Sequence, residues 1–144
     1  MRLRRVVTGV LVTAAVLTGC AGEQRAASLK VGDCFDDTSA MLAGEDIFRV
    51  PSVACTEPHD NEVFHVAQYP GSTYSIGDIE EFADRVCYSA FAPYVGRSYE
   101  SSVIDYLWLM PTPDSWTLGD REITCFAFHM DFERLRRSVR GSGL

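Results

Sequence analysis

DIEEFADRVCYSAFAP, residues 78–93, decides the architecture. Ile79, Phe82, Ala83, Val86, Cys87, Ala90 and Phe91 recur at the three- and four-residue spacing that gathers side chains on one face of a helix. Asp78 and Glu81 fit a capping box at its start, and Pro93 is expected to end it, so the spacing predicts a helix over 78–92. Such a helix needs an apolar partner. It presents Cys87 toward that partner, where a structural half-cystine belongs.

The partner is legible on either side. Residues 62–69 and 103–110 are rich in β-branched and aromatic side chains, and 47–53 reads as a shorter strand. In 123–130 the alternation sets Cys125, Ala127 and His129 on one face and Phe126 and Phe128 on the other. Strands and one dominant helix give an α+β fold, a small antiparallel sheet packed against the helix. Leaving Cys20 aside, Cys34, Cys55, Cys87 and Cys125 make an even set, which in an exported domain suggests two disulfides. Four cysteines allow three connectivities. The simplest architecture joins Cys87 to Cys125 on the facing strand and Cys34 to Cys55 near the start. No pair has C-x-x-C spacing, so a zinc knuckle or redox motif is not indicated and no metal is expected.

Export is read from the first twenty residues. Arg2, Arg4 and Arg5 precede an uncharged apolar run from Val6 to Thr18, the layout of a signal peptide and too short to span a bilayer. The run closes Leu17-Thr18-Gly19-Cys20, which looks like a lipobox. That pattern implies cleavage after residue 19 and a lipid anchor on Cys20, with 20–28 as a short tether and 29–144 as the extracytoplasmic domain. The expected address is the outer face of the cytoplasmic membrane.

The whole chain of 144 residues carries 13 Lys plus Arg against 20 Asp plus Glu, a net charge of -7, and loss of residues 1–19 removes three Arg and no acid. An acidic surface of this kind disfavours nucleic acid as a partner and is repelled by anionic headgroups. A 47% hydrophobic content suffices for one small core and argues against disorder. A monomer or weak oligomer is expected.

Two constellations are candidates for binding. Pro58 and His59 lie in a turn with Asp60 and Asn61, where a neighbouring carboxylate could hold the imidazole for a ligand; the alternative is a turn histidine that satisfies local backbone. Trp116, Asp120 and Arg121 surround Gly119, and the indole could receive a sugar ring or a peptide; the alternative is a loop locked by Asp120 and Arg121. His65 and His129 fall inside strands and are expected to pack. The acidic stretch Asp33, Asp36, Asp37, Glu45 and Asp46 lacks the order of a calcium loop and reads as solvated. Arg134, Arg136, Arg137 and Arg140 reverse the charge near the end, as either a lipid- or polymer-facing patch or a frayed helix end.

Enzyme signatures are missing. The single lysine, Lys30, stands in neither a P-loop nor a Ser-x-x-Lys pair, and there is no H-E-x-x-H, G-x-S-x-G or G-x-G-x-x-G. Paired cysteines leave no nucleophilic thiolate. Only a carboxylate-pair hydrolase survives this test, and the small size leaves little room for its cleft.

Gly32-Asp33-Cys34-Phe35, Val53-Ala54-Cys55-Thr56-Glu57-Pro58-His59 with Glu62-Val63, Cys87 with Tyr94-Val95-Gly96, and then Pro111, Trp116, Gly119-Asp120-Arg121, Cys125 and Ser138-Val139-Arg140-Gly141 occur in an order that resembles the septum-formation domain of actinobacterial cell-envelope proteins, over about residues 31–141. The resemblance implies an exported or membrane-tethered, non-enzymatic domain with no cofactor, linked to division-septum formation. The expected function is a recognition or scaffold module for an envelope or division protein or a wall polymer. The alternatives are a small wall-active hydrolase or accessory factor, and a solute- or metal-sensing lipoprotein.

Overall fold

The computed structural model describes residues 22–45, 47 and 49–144; the stretch read as a signal peptide, 1–19, and Cys20 lie outside them. Six strands form one curled antiparallel sheet in the order β1-β3-β2-β4-β6-β5. They are β1 (Gly22–Arg25), β2 (Cys34–Phe35), β3 (Arg49–Val53), β4 (Asn61–Gln68), β5 (Ile104–Leu109) and β6 (Glu122–His129). The main helix, α2 (Ile76–Val95), crosses one face; two single-turn helices, α1 (Ser39–Ala43) and α3 (Pro113–Thr117), sit in the connections. The α+β architecture and both disulfides, Cys34–Cys55 and Cys87–Cys125, agree with the sequence reading. Among the described residues, no helix is long and apolar enough to cross a membrane.

The sheet buries apolar side chains on both faces. Toward α2 lie Phe64, Ile104, Tyr106, Ile123, Cys125 and Ala127, packed on Ile79, Ala83, Cys87 and Phe91 of the helix. On the other face Leu29, Phe35, Val50, Val63 and Phe126 form a second, smaller cluster. The alternation predicted for β6 is therefore correct. In β4 a register shift between Val63 and His65 sets Val63 and Val66 on the same face, which strict alternation would separate.

Three boundaries differ from the sequence reading. First, α2 starts two residues earlier, at Ile76 after Ser75, and no side chain caps it; Asp78 instead sits in the first turn, where a carboxylate favours the positive helix end. Second, Pro93 lies within α2 rather than ending it. Its missing N–H costs one bond on the exposed side of the helix, while Tyr94 and Val95 continue the buried face. Gly96, at φ 84°, closes the helix by donating to Ala92 O, and Gly141 N and Gly143 N satisfy the carbonyls of Tyr94 and Val95 at 2.7 and 2.9 Å. Third, the stretch read as a tether is drawn into the sheet, because Gly22–Arg25 pairs along β3 from Gly22 opposite Ser52 to Arg25 opposite Arg49. Ala26 and Leu29 are then buried.

Candidate functional site

The turn after Cys55 holds Pro58 at the surface and buries His59 completely, at 0% exposure. His59 exchanges two backbone hydrogen bonds with Leu135, at 3.0 and 2.8 Å, which stitch the C-terminal segment to the turn. Its Nδ1 lies 2.7 Å from Glu57 O, so the ring is fixed by a backbone carbonyl and not by a carboxylate. Nε2 is buried and has no hydrogen-bond partner among the described residues. The imidazole faces inward and is not offered to a ligand from outside. Asp60 binds elsewhere: it accepts from Asp37 N at 3.0 Å and from Arg134 Nε at 3.1 Å, and Arg134 also pairs with Asp36.

Beside His59, donor atoms of Cys34 and Glu62 complete a trio within 4.8 Å of one another. Each is committed to structure. The Cys34 sulfur is bonded to Cys55, and the buried Glu62 carboxylate accepts from Tyr94 OH and Ser138 Oγ at 2.6 Å and from Val139 N at 2.7 Å. Burial and the Glu62 hydrogen bond push the Tyr94 hydroxyl up to about 12. Glu62 thus clamps the chain end to α2, which accounts for Ser138 in the terminal motif; Gly141, at φ 62°, supplies the adjoining bond to Tyr94 O.

The second constellation is also closed on itself. The Arg121 guanidinium lies 3.3 Å from the centre of the Trp116 ring, and its Nη1 donates to Trp116 O at 3.0 Å. Tyr69 and Tyr74 meet the same indole at 6.0 and 5.4 Å. Asp120 accepts from Ser115 Oγ and Glu122 N, both at 2.9 Å. These bonds lock the turn that feeds β6, with Arg121 occupying the aromatic face a ligand would need. The turn itself had a sequence signal that went unused: Thr112, Pro113 and Ser115 make the capping box and first residue of α3.

A third place escaped the sequence reading. On the sheet face opposite α2, a cavity of about 640 Å³ opens between β5, β6, α1 and the turn after β6. Met41, Leu107, Leu109, Phe126, Phe128 and Phe132 supply its apolar wall. Its volume lies within the range of ligand sites. Four side chains that line it, Leu42, Ile76, Leu107 and Phe132, are also among the large apolar residues most exposed to solvent. Phe132 is 82% exposed and holds φ at 58°, the only positive φ outside glycine among the described residues. That backbone is costly for an aromatic residue, and it keeps the ring on the rim, stacked on Phe128 at 5.7 Å. Neighbouring Tyr74 connects this wall to the Trp116 turn.

The rim is acidic. Asp37, Glu45, Asp60 and Glu133 line the cavity, and no Lys or Arg does among the described residues. Glu62, the one fully buried carboxylate among them, lies in the clamp and not in this cavity, so no pair of buried carboxylates converges there.

No curated protein and no solved structure matches the chain. The family profile described as septum formation matches residues 7–125. The span begins inside the apolar run that precedes Cys20 and ends at Cys125, so it covers both cysteine pairs, the His59 turn and the Trp116 turn, while the Ser138–Gly141 clamp lies beyond it. With most of its length matched and the ordered motifs accounted for as disulfides, turns and caps, the chain belongs to the septum-formation family.

Proposed function

We propose that this chain is a non-enzymatic recognition module of the cell envelope, held at the outer face of the cytoplasmic membrane by a lipid on Cys20, that serves septum formation by binding an apolar segment of an envelope or division partner. Family membership links the chain to division or the envelope. The observation that supports the binding role is the open apolar cavity, whose exposed Leu107 and Phe132 would be a solubility liability without an occupant.

The test is complementation in cells lacking the gene. The wild-type chain should restore septum placement and cell length, whereas Leu107→Asp, on the cavity wall, should not. Equal rescue by both would refute the cavity as the working site, and a deletion without a division defect would refute the role. Release of muropeptides from peptidoglycan by the purified protein would establish a hydrolase instead. A Cys20→Ser chain should leave the membrane fraction, and its retention there would contradict the lipid anchor.

A further inference from the structure

The cavity does not end at the sheet surface. Leu107 and Leu109 line it from the face opposite α2, yet Trp108 and Met110, which pack toward α2, line it as well. Residues from both faces of one strand can meet the same space only if that space wraps the strand's margin. Among the described residues β5 is the terminal strand of the sheet, paired with β6 on one side alone.

The free margin is guarded for half its length. Met130 N donates to Val103 O, which sets the phase: odd positions of β5 turn their backbone groups toward β6, even positions outward. The outward N–H of Ile104 is met by Ser102 Oγ at 2.9 Å, and that of Tyr106 by Asp105 Oδ1 at 2.8 Å. Side chains thus block pairing at the start of the strand. At Trp108, where the cavity begins, the outward N–H has no side-chain acceptor among the described residues. The backbone there is available to another strand.

Charge indicates what that strand carries. Of the four rim acids, Asp60 is paired with Arg134, while Glu45 and Glu133 have no ion pair among the described residues. An incoming segment must therefore bring apolar side chains for the wall and cations for the rim. Resting on the cavity reading above, we propose that the ligand is an extended segment of a partner protein that carries apolar and basic residues on the one face it turns to the cavity and adds to the Trp108 half of β5 as a seventh strand. Main-chain bonds supply the attachment, Leu107, Phe128 and Phe132 receive the apolar side chains, and Glu45 and Glu133 meet the basic ones.

The experiment uses the oxidised protein and a soluble ten-residue lysine–valine peptide, in which every second residue is threonine and the positions between are valine and lysine in turn so that both share one face, titrated calorimetrically at low and physiological salt. Two forms of the peptide carry N-methyl groups on alternate residues, one on each of the two alternating sets. Strand addition requires that one methylated form bind at least 10-fold more weakly while the other binds nearly as the parent does. It also requires that Glu45→Lys/Glu133→Lys weaken the parent by at least 10-fold, and that a glutamate–valine peptide fail to bind. Equal tolerance of both methylated forms would overturn strand addition. Binding of the neutral dye Nile red without any of the lysine peptide would overturn the basic-strand ligand and leave the cavity as an apolar site. If neither probe binds, and Leu107→Asp complements fully, the cavity reading falls with it.

Discussion

At the scale of single residues, burial separates the groups that hold the fold from those that can meet a partner. Glu62, at 0% exposure with three donors on its carboxylate, belongs to the first kind. Glu62→Gln places an amide hydrogen where a donor already points, and unfolding by urea should show a loss of about 1–3 kcal/mol, with the C-terminal segment becoming sensitive to protease. Phe132 is of the second kind. Phe132→Gly relieves the positive φ and removes a ring that solvent already surrounds, so stability should stay level or rise by about 1 kcal/mol while the lysine–valine peptide is lost. A urea midpoint that fell instead would mark Phe132 as part of the core. Neither role was legible from residue type. His59, Trp116, Asp120 and Arg121 stand out because their chemistry is versatile, but hydrogen bonds with backbone occupy His59, Asp120 and Arg121, the Arg121 guanidinium covers the Trp116 ring, and Pro58 stays at the surface; only coordinates reveal which groups are near. The cavity residues are ordinary Leu, Met and Phe, whose exposure depends on how far the sheet curls.

At the scale of elements, periodicity carried most of the information. The face of α2 and the alternation of β6 were written in spacing, and together they were enough to pair Cys87 with Cys125. What spacing could not reveal were β1 and the two-residue β2, which are too short to show a period, and the passage of α2 through Pro93, which depends on Gly141 and Gly143 arriving from the far end of the chain. The disulfides do unequal work. Their sequence separations are 38 for Cys87–Cys125 and 21 for Cys34–Cys55, so loop-closure entropy assigns about 4 and about 3 kcal/mol respectively. Denaturant midpoints of Cys87→Ala/Cys125→Ala and Cys34→Ala/Cys55→Ala should follow that order. The reverse order would mean that the short loop is the more strongly held in the unfolded chain.

For the molecule as a whole, alkali is the stress to which the core is most exposed. Burial, foremost, and hydrogen bonds to Glu62 and Asp84 raise the Tyr94 hydroxyl to about 12 and push Tyr106 up further. Both phenols keep their protons when folded at a pH where the unfolded chain, near 10, sheds them. Their contribution is therefore complete below pH 10 and is lost as pH climbs through 10 to 12 and beyond. Absorbance at 295 nm should resolve at least two late-titrating phenols, and the thermal midpoint should decline over the same interval; phenolate formation complete by pH 10.5 would contradict this. The placement of β1 has its own geometric outcome. Because Gly22 already pairs with β3, a lipid on Cys20 would leave a single residue, Ala21, between anchor and sheet; under the proposed anchoring one margin of the sheet would rest by the bilayer, and β5, five interstrand steps or about 24 Å away along the curl, would look outward to whatever the wall or a neighbouring complex extends toward it.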